Sequence, residues 1–167
     1  MKKSLIVISI ILLGMLIIYW TSRTTKQAVP QAQAQTTNDL PNMFLQKADG
    51  SILEAKLLPG KIILIIYFTD CDHCQREATE ISSKLKAFES YDLWFLSTDE
   101  FSKIEKFSTD YKLANLANVH FARTQPKDVY SNFGSIPTPS VYIYSESKKL
   151  VRAIKGETPI DNIILYL

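Results

Sequence analysis

The stretch Ile62-Ile63-Leu64-Ile65-Ile66-Tyr67-Phe68-Thr69-Asp70-Cys71-Asp72-His73-Cys74 decides the fold of this chain. Its near-continuous apolar run predicts a strand buried on both faces, as in the middle of a sheet covered by helices. Beyond it, Ala78, Ile81, Leu85 and Phe88 fall at intervals of three and four and predict a helix over residues 71–89. A buried strand that feeds Cys-x-x-Cys into a helix puts the first thiol at the helix N-terminus. Backbone N–H groups and the helix dipole there favour the thiolate, the form that attacks disulfides.

Working outward, Met43-Phe44-Leu45-Gln46 and Ser51-Ile52-Leu53-Glu54 flank Asp49-Gly50, a hairpin signal. Leu57-Leu58-Pro59-Gly60-Lys61 then turns the chain into the apolar strand. Residues 92–97 predict a second strand, and Thr98-Asp99 an N-cap for a helix at about 100–112. A short strand at 119–122 is followed by a short helix from Lys127 to Phe133, ended by Gly134. Residues 140–144 and 150–154 predict a hairpin, and Pro159 opens a last helix over roughly 159–166. Strands alternating with helices describe an α/β domain with a central mixed sheet and helices on both faces.

Residues 4–20 carry no charge and follow Lys2 and Lys3. Seventeen helical residues reach roughly 25 Å, the short end of what spans a bilayer. Tyr19 and Trp20 stand where an interfacial aromatic belt would, and the two lysines predict a cytoplasmic N-terminus. The competing reading is a cleaved signal peptide, but the small-x-small triplet Ala32-Gln33-Ala34 lies more than ten residues past the apolar run. The expected organisation is an uncleaved membrane anchor at 1–20, a flexible linker at 21–41 rich in Thr, Gln and Ala, and a folded domain at 42–167. Either reading exports the domain to an oxidising compartment, the periplasm or the outer face of a bacterial cytoplasmic membrane, where cysteine pairs do redox work or form bridges. With 46% hydrophobic residues the domain is ordinarily globular. A net charge of +2, with both signs scattered and no basic stripe, argues against a nucleic-acid partner.

From residue 42 onward the chain resembles the thioredoxin superfamily, and within it the membrane-anchored, TlpA/ResA-like thiol–disulfide oxidoreductases. Four features carry the likeness in order: the segment from Phe44 to Lys61, similar to the extra N-terminal hairpin of that family; the apolar strand running into Cys71-Asp72-His73-Cys74; Gly134-Ser135-Ile136-Pro137-Thr138, similar to its cis-proline segment; and a closing hairpin with Lys155-Gly156 before a terminal helix. The resemblance implies that Cys71 attacks and Cys74 resolves the mixed disulfide, a tethered thiol having a high effective concentration. It implies that Pro137 is the cis-proline beside the sulfurs, that Ile136 and Thr138 contact an extended substrate, and that Glu77 handles active-site protons. It further implies exported proteins with thiols or disulfides as partners, a membrane electron donor, and no cofactor or metal.

This chain departs from the pattern in ways that bear on direction. The tryptophan that commonly precedes the first cysteine is Asp70, and the buried acid six residues before it is Ile65. The proton burden therefore shifts to Glu77 or water. His73 would stabilise a Cys71 thiolate when protonated, whereas Asp70 and Asp72 flank the same sulfur with like charge and disfavour it. Ile136 ahead of Pro137 leans the same way as the aspartates, and the expected direction is reduction. Plainer readings stand beside these: Asp70 and Asp72 as acids favoured at a helix N-terminus, and Glu77 paired with Lys84 or with neighbours of Arg76.

Two other functions compete. Cysteines at this spacing close too small a loop to staple a fold, but a Sco-like copper chaperone uses two cysteines and a distant histidine on this same fold. Its cysteines are spaced one residue wider, and His120, on a strand, is expected to be structural. A non-catalytic module that docks extended peptides along the Pro137 segment is the other. A peroxidase reading needs a threonine three residues before the cysteine, and Thr69 stands two before it.

Overall fold

The computed structural model describes Met15, Leu16 and residues 39–167. The chain divides into two units, Met1–Ala32 and Gln33–Leu167. In the first, Met15 and Leu16 are helical; the rest of the expected anchor, and the linker up to residue 38, lie outside the described residues. Among the described residues no helix is long and apolar enough to cross a membrane.

The second unit is built on one seven-stranded sheet, in the order β2-β1-β5-β4-β3-β6-β7. The strands are β1 (Phe44–Gln46), β2 (Ile52–Glu54), β3 (Ile62–Ile66), β4 (Asp92–Ser97), β5 (Val119–Arg123), β6 (Ser140–Tyr144) and β7 (Leu150–Lys155). Helix α1 (Asp72–Ser83) follows β3, α2 (Phe101–Asp110) follows β4, α3 (Pro126–Phe133) follows β5, and α4 (Ile160–Ile164) ends the chain. β3, β4 and β5 run parallel, and the two hairpins β1–β2 and β6–β7 attach antiparallel at either side.

The mixed α/β sheet expected from the alternation is thus present, and β3 shows why. All five of its residues are buried, and period-two alternation sends them to two cores. Ile63 and Ile65 face the cluster that includes Cys74, Ala78 and Ile81 of α1. Ile62, Leu64 and Ile66 face Leu45, Trp94 and Tyr142. Each such side chain contributes roughly 1.5–3 kcal/mol by leaving water.

Some boundaries move. The helix expected over 71–89 stops at Ser83, where Lys84 leaves helical geometry and a separate 3-10 turn, Leu85–Phe88, carries Phe88 into the core. The folded domain takes in part of the expected linker: Asp39 bridges to Lys149, the Leu40 amide bonds to Lys148, and Leu40 is buried. Asp99 does not cap α2, whose N-cap is Glu100 with no side-chain hydrogen bond. The Asp99 carboxylate is occupied elsewhere.

Candidate active site

The end of β3 and the start of α1 place the two sulfurs. Cys71 is the N-cap of α1, with extended backbone, and its Sγ accepts the Cys74 amide hydrogen at 3.3 Å. Cys74 lies in the first helical turn, buried against the core, with its Sγ 2.7 Å from that of Cys71. Both are free thiols. Cys71 stays partly accessible and faces a second segment: its Sγ is 3.7 Å from the Thr138 carbonyl oxygen and 3.8 Å from the Thr138 hydroxyl. The thiols are unequal. Burial, then the hydrogen bond and charge of Cys71, push Cys74 up to about 12, so it stays protonated until something removes its proton.

Of the expected proline segment, the structure changes the key position. The cis peptide bond joins Thr138 to Pro139, not Ile136 to Pro137. Thr138, not Ile136, is the residue beside the cis-proline, and its carbonyl and hydroxyl meet the sulfur. Ile136 packs into the second core and, with Thr138 and Phe68, lines an apolar groove of about 220 Å³. The Pro137 carbonyl accepts the Ser140 hydroxyl at 2.6 Å. The direction argued from Ile136 loses its basis, because that residue does not adjoin the cis bond.

Glu77 lies one turn beyond Cys74 on the same helix face. It is 2% exposed, and neither carboxylate oxygen has a hydrogen-bond partner among the described residues. Burial, against the pull of the Thr158 backbone N–H and with the like charges of Glu80 and Glu157 adding, pushes its carboxyl up to about 8. It is not the helix-surface ion pair of the plainer reading: Lys84 pairs with Asp161, and Arg76 with Glu157. A buried, unpaired carboxyl of this kind is a candidate for proton handling.

His73 does not cover the Cys71 sulfur. Its Nδ1 meets Glu157 and, at 2.7 Å, the Arg76 guanidinium, on the exposed side of α1. Asp70 and Asp72 are exposed beside the N-cap, and Asp72 stands in the first turn of the helix, where its charge suits the dipole.

One site residue escaped the sequence reading. Asp99 accepts the Thr69 amide at 2.8 Å, the Thr69 hydroxyl at 2.9 Å and the Ser97 hydroxyl at 3.1 Å, fixing the backbone two residues before Cys71. Burial opposes its charge, yet these bonds hold its carboxyl below the usual carboxylate value. The hydroxyl of Thr69 is thereby committed to Asp99 and not to Cys71. Its signal was in the sequence as an acid after a strand, but the cap reading absorbed it.

His120 sits toward the other end of the parallel strands. It pairs in register with Trp94, stacks on that indole at 4.5 Å, and its Nε2 is 3.2 Å from Asp92. Among the described residues no three His, Cys, Asp or Glu side chains converge as a metal site.

A model of the AhpC/TSA family matches residues 36–153. The chain belongs to the AhpC/TSA family. No curated protein sequence matches it. Solved structures share the thioredoxin-like fold of this AhpC/TSA member. A secreted disulfide oxidoreductase of Mycobacterium tuberculosis, homologous to E. coli DsbE, is 14% identical with a TM-score of 0.58, over 75% of this chain and 96% of that one. StoA from Bacillus subtilis is 15% identical with a TM-score of 0.57, over 74% and 93%. ScoI from Arabidopsis thaliana, solved with copper bound, is 15% identical with a TM-score of 0.60, over 77% and 94%. The expected thioredoxin-like fold is therefore shown, and oxidoreductases and copper proteins both use it.

Proposed function

We propose that this AhpC/TSA protein is a thiol–disulfide oxidoreductase that reduces disulfides of exported proteins, tethered outside the cytoplasmic membrane by residues 4–20. The observation that carries it is the asymmetry of the sulfurs: a partly accessible Cys71 capping a helix, 2.7 Å from a buried Cys74 thiol, with Thr138 against the first.

The Cys71 thiolate attacks one sulfur of a substrate disulfide. The substrate S–S bond breaks, and the leaving sulfur departs as a thiolate that takes a proton from water. Cys74 then gives its proton to the Glu77 carboxylate and attacks the Cys71 sulfur, expelling the second substrate thiolate. Two electrons have passed to the substrate, and the protein holds a Cys71–Cys74 disulfide until a dithiol donor at the membrane reduces it. A carboxyl that titrates at about 8 exchanges protons in either direction near neutrality, which suits both halves of this cycle. The apolar groove beside Thr138 gives an extended substrate segment a place to lie.

Reduction is favoured over oxidation because a strong oxidant needs its first thiolate stabilised. His73, the one imidazole near the site, is turned to Glu157, and Asp70 and Asp72 flank the sulfur with like charge. A copper-chaperone reading finds no such support, since His120 is stacked on Trp94 and bonded to Asp92.

Trapping tests the proposal. Full-length Cys74→Ser expressed in cells is expected to accumulate exported proteins bonded to Cys71, releasable by dithiothreitol. Capture of none, together with tight copper(I) binding that requires His120, would overturn it. A redox titration that placed the couple among strongly oxidising dithiols would reverse the direction.

A further inference from the structure

The segment 156–160 touches the site from three sides without belonging to the machinery described so far. On one side the Gly156 amide donates to the Pro139 carbonyl at 2.8 Å, tying the segment to the loop that carries Thr138. On another the Ile160 amide donates to Glu80 of α1 at 2.9 Å. Between them Glu157 grips α1 with both oxygens. Oε1 accepts from Arg76 Nε at 2.6 Å, and Oε2 accepts from Arg76 Nη2 at 2.7 Å while also meeting His73 Nδ1. The next residue, Thr158, brings its backbone N–H near Glu77 without closing a hydrogen bond to it.

Three contacts thus hold a short turn against the proline loop and against α1 on both sides of Glu77, at Arg76 and at Glu80. A forked arginine–carboxylate pair is the geometry in which a partly exposed ion pair holds a fixed position. Its donor Arg76 and its neighbour His73 come from α1, whose buried face carries Cys74 and Glu77.

We propose that Glu157 is a positioning residue for the exchange reaction: by fastening Arg76 and His73 to the 156–160 turn, it keeps that turn closed over the Glu77 carboxyl and excludes water from the group that takes the Cys74 proton. The inference rests on the proton role proposed for Glu77. Opening the latch hydrates Glu77, returns it toward an ordinary carboxylic acid, and weakens it as a base for a thiol as high as Cys74.

The charges that face Glu77 make the idea testable by sign. Glu80 on its own helix and Glu157 on the turn both raise its carboxyl as like charges, while Arg76 and His73 bond to Glu157. Removing Arg76 leaves Glu157 uncompensated, so electrostatics alone would raise the Glu77 midpoint further. Loss of the latch lowers it, because hydration favours the carboxylate.

The experiment is a carboxyl-carbon NMR titration of the full-length reduced protein and its Arg76→Gln variant, with amide hydrogen exchange at Thr158 and Ile160 measured in parallel. The expected result is a Glu77 midpoint lower by about one unit and exchange at both amides faster by on the order of tenfold. A midpoint that rises or stays put, or amides that exchange at the native rate, overturns the latch. Glu157→Gln is the second variant and should speed exchange at the same two amides, whereas native exchange there would again count against it. Failure of the underlying reading shows separately. If Glu77→Gln leaves the rate of Cys74 attack unchanged while Arg76→Gln still lowers the Glu77 midpoint, the turn is a latch but Glu77 is not the base.

Discussion

Two acidic side chains near opposite ends of the parallel strands meet opposite fates. Glu77, behind the sulfurs, is buried with neither oxygen bonded, and its carboxyl titrates near 8. Asp92, at the start of β4, is partly exposed and bonded to His120, which in turn stacks on Trp94. Both regions pair an acid with a residue whose protonation matters. Only one leaves its acid unsatisfied, and that is the acid to which the proposed exchange assigns a proton. The contrast sets the acid proposed to work against one that is bonded in place.

The largest effect that tests this contrast falls on the thiols. Cys71→Ser should abolish turnover of a disulfide substrate while leaving thermal stability unchanged, because the capping oxygen replaces the sulfur at the helix terminus. Stopped-flow assay and a melting curve check both halves. Retained turnover would mean that Cys74, despite its burial, is the attacking group.

Glu77→Gln comes next. It should slow resolution of the mixed disulfide by on the order of a hundredfold near pH 7, the usual weight of a general base. The same variant changes the pH dependence of stability. The folded state holds the Glu77 proton up to about 8, against an ordinary value of 4.5, so its stability is fully present below about 4.5 and is lost as pH rises through about 8. Removing the carboxyl should flatten that slope and leave the variant more stable than the parent above pH 8, by about 2 kcal/mol after the cost of a buried amide. Urea melts at pH 5, 7 and 9 decide it. A parallel pair of stability curves would show that Glu77 is hydrated in solution.

Much of this was legible in the sequence because it rests on periodicity. Seven apolar residues into Cys-x-x-Cys required a central strand and a helix, and Cys71 lies at the N-cap as the motif implies. The proton role proposed for Glu77 came only from resemblance, since a glutamate three residues past a cysteine on a helix fits a surface ion pair equally well. The proline was misplaced for a local reason. Pro137 and Pro139 are separated by one threonine, and no spacing rule says which bond is cis. His73 and Asp99 were misread because their partners lie 84 and 30 residues away in sequence, and only the fold brings Glu157 and Thr69 to them. Contacts of that separation leave no local pattern.

Asp99 offers a test between the two extremes. It is partly buried yet fully bonded, and what it bonds is the backbone just before Cys71. Asp99→Ala should cost about 2 kcal/mol, from the unmade bonds to Thr69 and Ser97. It should also slow attack by Cys71 several-fold, because the segment 69–71 loses its anchor. A stability loss with an unchanged attack rate, measured under single-turnover conditions, would confine Asp99 to the structural class.

His120→Ala should have the smallest effect. The imidazole is partly exposed, its contact with Asp92 is one polar pair near the surface, and the stack on Trp94 is the main packing it provides. Together these are worth about 1 kcal/mol. The exchange rate and the copper(I) affinity of the reduced protein should be unchanged, since nothing in the geometry joins this ring to Cys71. The contrast between the two ends breaks if copper affinity falls in the variant, for then His120 must reach the sulfurs in a conformation different from this one. If only stability falls, the two ends are independent: Asp92 is bonded to its histidine and holds the sheet, and Glu77 is left unsatisfied behind the sulfurs.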